Sequence, residues 1–225
     1  MGIKEVLYNW GSLNFDIFYF FNSLFTENPV YSTIMVITSI FFNFINFLSL
    51  LLIILVIYLY YNKSTLTKNN IIYYLSNQYI YSILLTIIAS IIAASIGYVI
   101  KHKYALEFPR PLCFLKNVNI IAYFNQTPAD IIQNRCHKLD GSFPSMHSTF
   151  AMILATSIWP LLNYYTKYLA ALLVITVGIS RMSLGVHFPV DLIGGYIFGY
   201  LITKACRYVF SYLCGYINNK IININ

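Results

Sequence analysis

A histidine and an aspartate four residues apart, His187 and Asp191, stand in the stretch GISRMSLGVHFPVD at residues 178–191, together with Ser180 and Arg181. Pro189 suits the first turn of a helix, so a helix is expected to begin near Phe188 or Pro189, with His187 just before it. The i, i+4 spacing then puts both side chains on one face. A carboxylate that accepts a hydrogen bond from one imidazole nitrogen fixes the tautomer and makes the other nitrogen more basic. That arrangement makes His187 a candidate nucleophile, oriented by a third group. Read alone, the same pair could simply cap a helix.

A second stretch, GSFPSMHSTF, carries Pro144, Ser145, Met146 and His147 where another apolar segment begins. The free N–H groups and positive dipole end of a helix N-terminus suit an anion such as phosphate. Ser145 can donate a hydroxyl there, or serve only as an N-cap, and His147 can give or take a proton. The third stretch, KHKYALEFPRP, sets Lys103 and Arg110 around a short segment closed by Pro111. Two cations there could anchor to lipid headgroups, and an arginine is also suited to bidentate phosphate contact. Taken together, the stretches supply two histidines, an aspartate, two arginines, a lysine and one or two serines. That is the equipment of phosphoryl transfer without a metal.

The elements that must carry these residues are apolar. The chain is 59% hydrophobic, 18% aromatic and 9% charged, against about 25% charged in soluble domains. Residues 31–61 and 69–100 carry no Asp, Glu, Lys or Arg, and each run exceeds the ~20 residues that cross a bilayer. Further spans are expected from about Ser145 to Trp159–Pro160, from Tyr165 to Met182, and from Phe188 to Phe210. Lys204 and Arg207 would snorkel at the end of the last one. Residues 8–27 are aromatic but interrupted by Asn14, Asp16 and Asn22; they read as interfacial or re-entrant in preference to a first crossing. Gly195 and Gly199 form a G-x-x-x-G, which reads as a helix-packing face. The start of the chain resembles neither a secretory signal peptide nor a myristoylation site.

Residues 101–143 form the long polar segment. It is basic, with Lys101, Lys103, Arg110, Lys116, Arg135 and Lys138. If the short turn holding Lys63 and Lys68 is cytoplasmic, parity puts this segment outside, together with the chain around Ser145 and from Arg181 to His187. Lys167, Lys204, Arg207 and Lys220 then fall inside, as the positive-inside rule asks of short connections. Cys113 and Cys136 share the external segment and could pair or remain thiols; Cys206 and Cys214 lie near the C-terminal end. The net charge of +7 fits anionic lipid contacts, and no nucleic-acid-binding motif accompanies it.

On these stretches the chain resembles the type 2 phosphatidic acid phosphatase superfamily, membrane lipid-phosphate phosphatases whose site is related to that of bacterial acid phosphatases and vanadium haloperoxidases. The family signatures K-x6-R-P, P-S-G-H and S-R-x5-H-x3-D read here as Lys103 to Pro111, Pro144 to His147 and Ser180 to Asp191, in the correct order. Met146 stands where the family usually has glycine.

The resemblance implies an all-α integral membrane protein. Its single domain would occupy residues 1–225, as a six-helix bundle whose first segment either crosses the bilayer or lies at its interface, with an external loop at 101–143 between spans three and four. It implies hydrolysis of a lipid phosphate or pyrophosphate, among them undecaprenyl pyrophosphate, phosphatidylglycerol phosphate, phosphatidic acid and lipid A phosphates. In this scheme His187 forms a phosphohistidine, Asp191 orients it, and His147 serves the leaving oxygen and then the water. Lys103, Arg110, Ser145, Arg181 and the backbone at Met146 bind the phosphoryl oxygens, with Ser180 supporting Arg181. No cofactor, metal or nucleic-acid partner is expected; substrate and membrane lipids are. The implied location is a bacterial inner membrane with the site facing the periplasm. Two other readings use the same residues: a lipid phosphotransferase, and a transporter with an ion site at the membrane boundary.

Overall fold

The computed structural model describes residues 8, 10, 12–62, 77–103, 108–120, 127–136 and 141–222. They are helical, with no β-strand among them: α1 (Leu13–Glu27), α2 (Pro29–Phe41), α3 (Phe44–Tyr61), α4 (Gln78–Lys103), α5 (Pro111–Phe114), α6 (Pro128–Cys136), α7 (Met146–Ile158), a 3₁₀ turn (Trp159–Leu161), α8 (Tyr164–Ser183) and α9 (Pro189–Ile222). The turn read at Lys63 and Lys68, and Lys138, lie outside the described residues, as do the side chains of Arg135, Cys214 and Lys220.

Among the described residues, two helices are long and apolar enough to cross a membrane, α3 with 18 residues and α4 with 26, or about 27 and 39 Å at 1.5 Å per residue. Only 11% of the α3 window and 39% of the α4 window is buried inside the protein. Ile45, Ile53, Val56, Tyr98 and Val99 are among the large apolar side chains these helices turn outward. A face of this kind is stable against lipid chains and would be a liability in water.

The charge-free run 31–61 is not one helix. It breaks at Phe42–Asn43, where the Asn43 side chain accepts a hydrogen bond from the Ile45 amide and starts α3 afresh. An asparagine that bonds its own backbone competes with helix continuation. The segment at 101–143 is likewise not a structureless loop: it holds α5 and α6, joined by a disulfide between Cys113 and Cys136.

The helices α1 and α2 run along one end of the molecule. Asn14 accepts from the Val190 amide, Phe18 packs on Phe188, and Asn22 donates to the Ser183 carbonyl. On α2, the Tyr31 hydroxyl pairs with that of Ser183, and Ser39 accepts from Arg181. All these partners belong to the end of α8, the turn after it, or the start of α9.

The helices α7 and α9 pack backbone against backbone. A Cβ added at Gly195 would lie 2.5 Å from the Ser145 carbonyl oxygen, and one at Gly199 2.5 Å from that of Thr149. Both glycines therefore let the backbones touch, as the G-x-x-x-G pattern suggested. A main-chain oxygen cannot swing aside as a flexible side chain can. Gly195→Leu is expected to force the helices apart and to lower the melting temperature in detergent by several degrees, while an unchanged melting curve would show that the crossing has slack.

At the opposite end, Lys167 lies over the Trp159 ring and Lys204 over the Tyr200 ring, while Arg207 donates to the Thr156 carbonyl at 2.7 Å. Cations alternating with aromatics suit a headgroup boundary.

Candidate active site

Four helix ends meet at one end of the bundle: the C-termini of α4 and α8 and the N-termini of α7 and α9. Backbone hydrogen bonds lock them in place. The Ser145 amide donates to the Asp191 carbonyl at 3.0 Å, the Leu112 amide to the Gly185 carbonyl at 3.1 Å, and the Val186 amide to the Arg181 carbonyl at 3.2 Å. Gly185 turns the chain at φ +74°, a left-handed conformation that costs glycine nothing. The turn releases the chain from α8 and presents His187 two residues later.

Asp191 is fully buried and takes donors on both oxygens. Oδ2 accepts from the Phe188 amide at 2.8 Å and faces His187 Nδ1 at 3.4 Å. The first bond closes the N-terminus of α9 in capping-box fashion, so the capping and orienting readings of this pair hold together. Oδ1 accepts from the hydroxyls of Tyr8 and Ser142. With its Nδ1 proton directed at the carboxylate, His187 keeps its lone pair on Nε2, and Nε2 faces Arg110 Nη1 at 3.4 Å.

His187 is 2% exposed and sits in the turn between α8 and α9. Burial first, then the charges of Arg110, Lys101, Arg181 and His147, hold its imidazole well below the usual histidine range. A neutral imidazole with one fixed N–H is the nucleophilic form.

The cations around it are as buried as the histidine. Arg110 is 4% exposed and Arg181 3%. Arg110 Nη1 also lies 3.4 Å from the Val186 carbonyl, and Arg181 is steered by Ser39 of α2. The lysine of this cluster is Lys101, not Lys103. Lys101 is buried and donates to the carbonyls of Gly141 at 2.7 Å and Ser142 at 3.1 Å, whereas Lys103 is exposed at the end of α4. Two residues along a helix turn a side chain by about 200°, so the signature lysine and the buried lysine lie on opposite faces.

Ser145 is buried at the N-cap position of α7 but makes no side-chain cap bond; its hydroxyl instead accepts from Ser148 at 3.1 Å. His147, half-buried two residues further on, lines a cleft of about 260 Å³ with Lys101, Met146, Phe44, Tyr98 and Phe150. Met146 lies against α4, where a Cβ on Gly97 would meet its sulfur at 2.5 Å. Ser180 points away from the cluster, its hydroxyl donating to the Val177 carbonyl at 2.6 Å. Of the residues singled out from sequence, the structure thus brings His187, Asp191, Arg110, Arg181, Ser145 and His147 to one end, and it sets beside them Tyr8, Ser39, Lys101 and Ser142, which sequence reasoning did not assign to the site. Lys101 carried a faint signal in the motif's neighbouring basic residue, and the others carried none.

Among the described residues, Lys101, Arg110 and Arg181 set three positive charges around the single carboxylate of Asp191. A buried cluster with excess positive charge is complementary to a phosphate dianion. The His187 imidazole is directed among these groups, with Nε2 toward Arg110.

The family model described as "PAP2 superfamily" matches residues 78–214, which contain all three signatures. The chain is 27% identical over 193 residues to the bacitracin transport permease protein BcrC of Bacillus licheniformis, covering 86% of this chain and 78% of that protein. It is 40% identical over 65 residues to the putative undecaprenyl-diphosphatase YbjG of Escherichia coli (strain K12), covering 28% of this chain and 32% of that protein. The fold is similar to that of a transmembrane PAP2 type phosphatidylglycerolphosphate phosphatase from Bacillus subtilis, with a TM-score of 0.61 at 20% identity, covering 89% of this chain and 86% of the other. It is also similar to Aquifex aeolicus LpxE, with a TM-score of 0.56 at 19% identity and coverage of 92% and 99%.

Proposed function

The chain belongs to the PAP2 superfamily, and from that premise we propose that it is an integral membrane phosphatase that hydrolyses a lipid phosphate or lipid pyrophosphate through a phosphohistidine. The observation that carries this reading is the buried group of Lys101, Arg110 and Arg181 around a neutral His187 tethered to Asp191. Residues 1–225 act as one domain. The segments 8–27, 31–61 and 69–100 and the three that follow residue 143 make a six-segment bundle. In this topology α1, α2, α5 and α6 lie at the outer boundary. The membrane is a bacterial inner membrane with the site facing the periplasm, an oxidising compartment that suits the Cys113–Cys136 bond.

The Nε2 lone pair of His187 attacks phosphorus as the bond to the lipid oxygen breaks, and His147 protonates that oxygen. Lys101, Arg110, Arg181 and Ser145 hold the three remaining phosphoryl oxygens, with the free amides at the α7 N-terminus beside them. Fixed charge of this kind is often the largest catalytic contribution. His147 then takes a proton from water, the water oxygen attacks the phosphohistidine, and inorganic phosphate leaves with His187 restored. Acid–base help of this type is worth about 10²–10⁴-fold. Lys101 takes the part that the signature gives to Lys103.

A release assay tests the reading. The purified protein is presented with a polyprenyl diphosphate, phosphatidylglycerol phosphate, phosphatidic acid and lipid A, and free phosphate is measured against phosphate passed to an acceptor lipid. Free phosphate from at least one of these is expected. Phosphate recovered only on another lipid would make the protein a transferase, and inertness to all of them would overturn the reading. The name of the Bacillus licheniformis relative raises transport as a second reading. An ion pathway needs charged groups at mid-depth on several spans, whereas the buried charges here collect at one end.

The pH profile is also expected to be diagnostic. Arg110 ahead of α5, Lys101 of α4, Arg181 of α8, His147 of α7 and Asp191 of α9 all face His187. Because its pKa is depressed, His187 stays neutral until the pH falls through that lowered value. The acid limb of kcat/KM is therefore expected below the ordinary histidine value of about 6.5. A limb at or above that value would show that the imidazole is not held neutral.

A further inference from the structure

The orientation of His187 depends on a carboxylate that could swivel. The terminal torsion of an aspartate is broad and roughly two-fold. The His187 Nδ1 to Asp191 Oδ2 separation of 3.4 Å is also longer than the ~2.9 Å of a good N–H···O bond. Something other than that bond must therefore aim the carboxylate. On the Oδ2 side this is the Phe188 amide at 2.8 Å. On the Oδ1 side it is the hydroxyl of Tyr8, 183 residues away in sequence, with Ser142 Oγ at 3.3 Å from the same oxygen and 3.2 Å from the Tyr8 oxygen.

Tyr8 is itself held from two directions. Its ring stacks on Phe108, with centroids 5.6 Å apart and planes 20° apart, and meets Phe188 edge-on at 5.7 Å. Burial, then the charge of Asp191, keeps its hydroxyl protonated far above the usual tyrosine range, so it remains a donor at every working pH. Phe108 lies two residues before Arg110, and Phe188 directly follows His187. A single ring thus touches the segment that carries a phosphate-binding arginine and the turn that carries the nucleophile, while its hydroxyl bonds the aspartate between them.

We propose that Tyr8 is a positioning residue for phosphoryl transfer, fixing the Asp191 carboxylate and through it the His187 imidazole. The proposal rests on the reading of His187 as nucleophile. It also goes beyond the family signatures, because Tyr8 lies outside the matched residues 78–214. The chemistry would then require a residue from the N-terminal segment, delivered by the way α1 lies across the start of α9.

Tyr8→Phe keeps the ring, its stacking and its volume, and removes only the donor. In the full-length protein in nanodiscs, with a lipid phosphate that the wild type hydrolyses, kcat is expected to fall about tenfold, the scale of one lost hydrogen bond to a charged group. KM should stay within about twofold, because Tyr8 does not touch the phosphate, and the melting temperature should stay close to that of wild type. In the Asp191→Asn background the same change should cost less than about twofold, because the group through which Tyr8 acts is already impaired. A Tyr8→Phe protein with wild-type kcat overturns the proposal. So does a loss that appears in KM or in folded yield alone, or one that multiplies in full with Asp191→Asn. Wild-type protein inert to every lipid phosphate overturns the phosphatase reading and this proposal with it, whereas an active wild type matched by an equally active Tyr8→Phe overturns only the role of Tyr8.

Discussion

Exchange of His187 for alanine is expected to reduce lipid-phosphate hydrolysis by at least about 10⁴-fold with the protein still folded. Removing the nucleophile from a covalent mechanism leaves only what binding and fixed charge can do; in a serine protease, the corresponding deletion costs about 10⁶ in kcat. Substrate affinity should change far less, because Arg110, Arg181 and Lys101 remain. A wild-type protein quenched during turnover should carry covalent phosphate that acid removes, and the alanine variant should carry none. Residual activity within about 100-fold of wild type would exclude His187 as the attacking group. A melting curve in the same detergent separates lost chemistry from lost fold, since the side chain lies in a turn and not in the hydrophobic clusters.

Asp191→Asn carries the second largest expected effect, a fall of about 10³–10⁴-fold in kcat, of the order seen when the orienting aspartate of a catalytic triad becomes an amide. Four donors converge on this carboxylate: the Phe188 amide, His187 Nδ1–H and the hydroxyls of Tyr8 and Ser142. An asparagine amide has one accepting oxygen and one donating nitrogen. Whichever way it turns, the nitrogen faces two donors. If it faces the Phe188 and His187 side, the imidazole must place its proton on Nε2, and the lone pair that should attack phosphorus is lost. If it faces the other side, the Tyr8 and Ser142 hydroxyls must turn away. Steady-state kinetics on the folded variant checks this, and a loss below about tenfold would mean that the carboxylate does not govern the imidazole.

Most of the candidate site was legible in the sequence because phosphoryl transfer needs particular residue types at fixed local spacings. His187 and Asp191 are four residues apart in a turn whose shape Gly185 and Pro189 announce. Arg181 is tied to the same turn through its carbonyl, and Ser145 and His147 mark the start of a helix behind Pro144. Spacing could not give rotational phase at the end of a helix: Lys101 and Lys103 are both lysines near the end of α4, and only one faces inward. Nor could it give contacts between distant segments. Tyr8 and Ser39 belong to no motif, and they reach Asp191 and Arg181 only because α1 and α2 lie across the ends of α8 and α9.

The fold was legible to a similar extent. Hydropathy marked the apolar segments, and parity brought all three signatures to one end, where the structure puts them. The break at Asn43 escaped because a run without charged residues carries no hydropathy signal of a discontinuity. The cue was a single asparagine able to cap. The helices α5 and α6 escaped because each is short, and a disulfide joins their segments across 23 positions of sequence.

The contact between Met146 and Gly97 has a historical corollary. Bulk absent from one helix is supplied by its neighbour: a side chain at 97 requires the thioether to move, and a glycine at 146 leaves that volume empty. Any lineage that carries the methionine is expected to preserve the small partner opposite it.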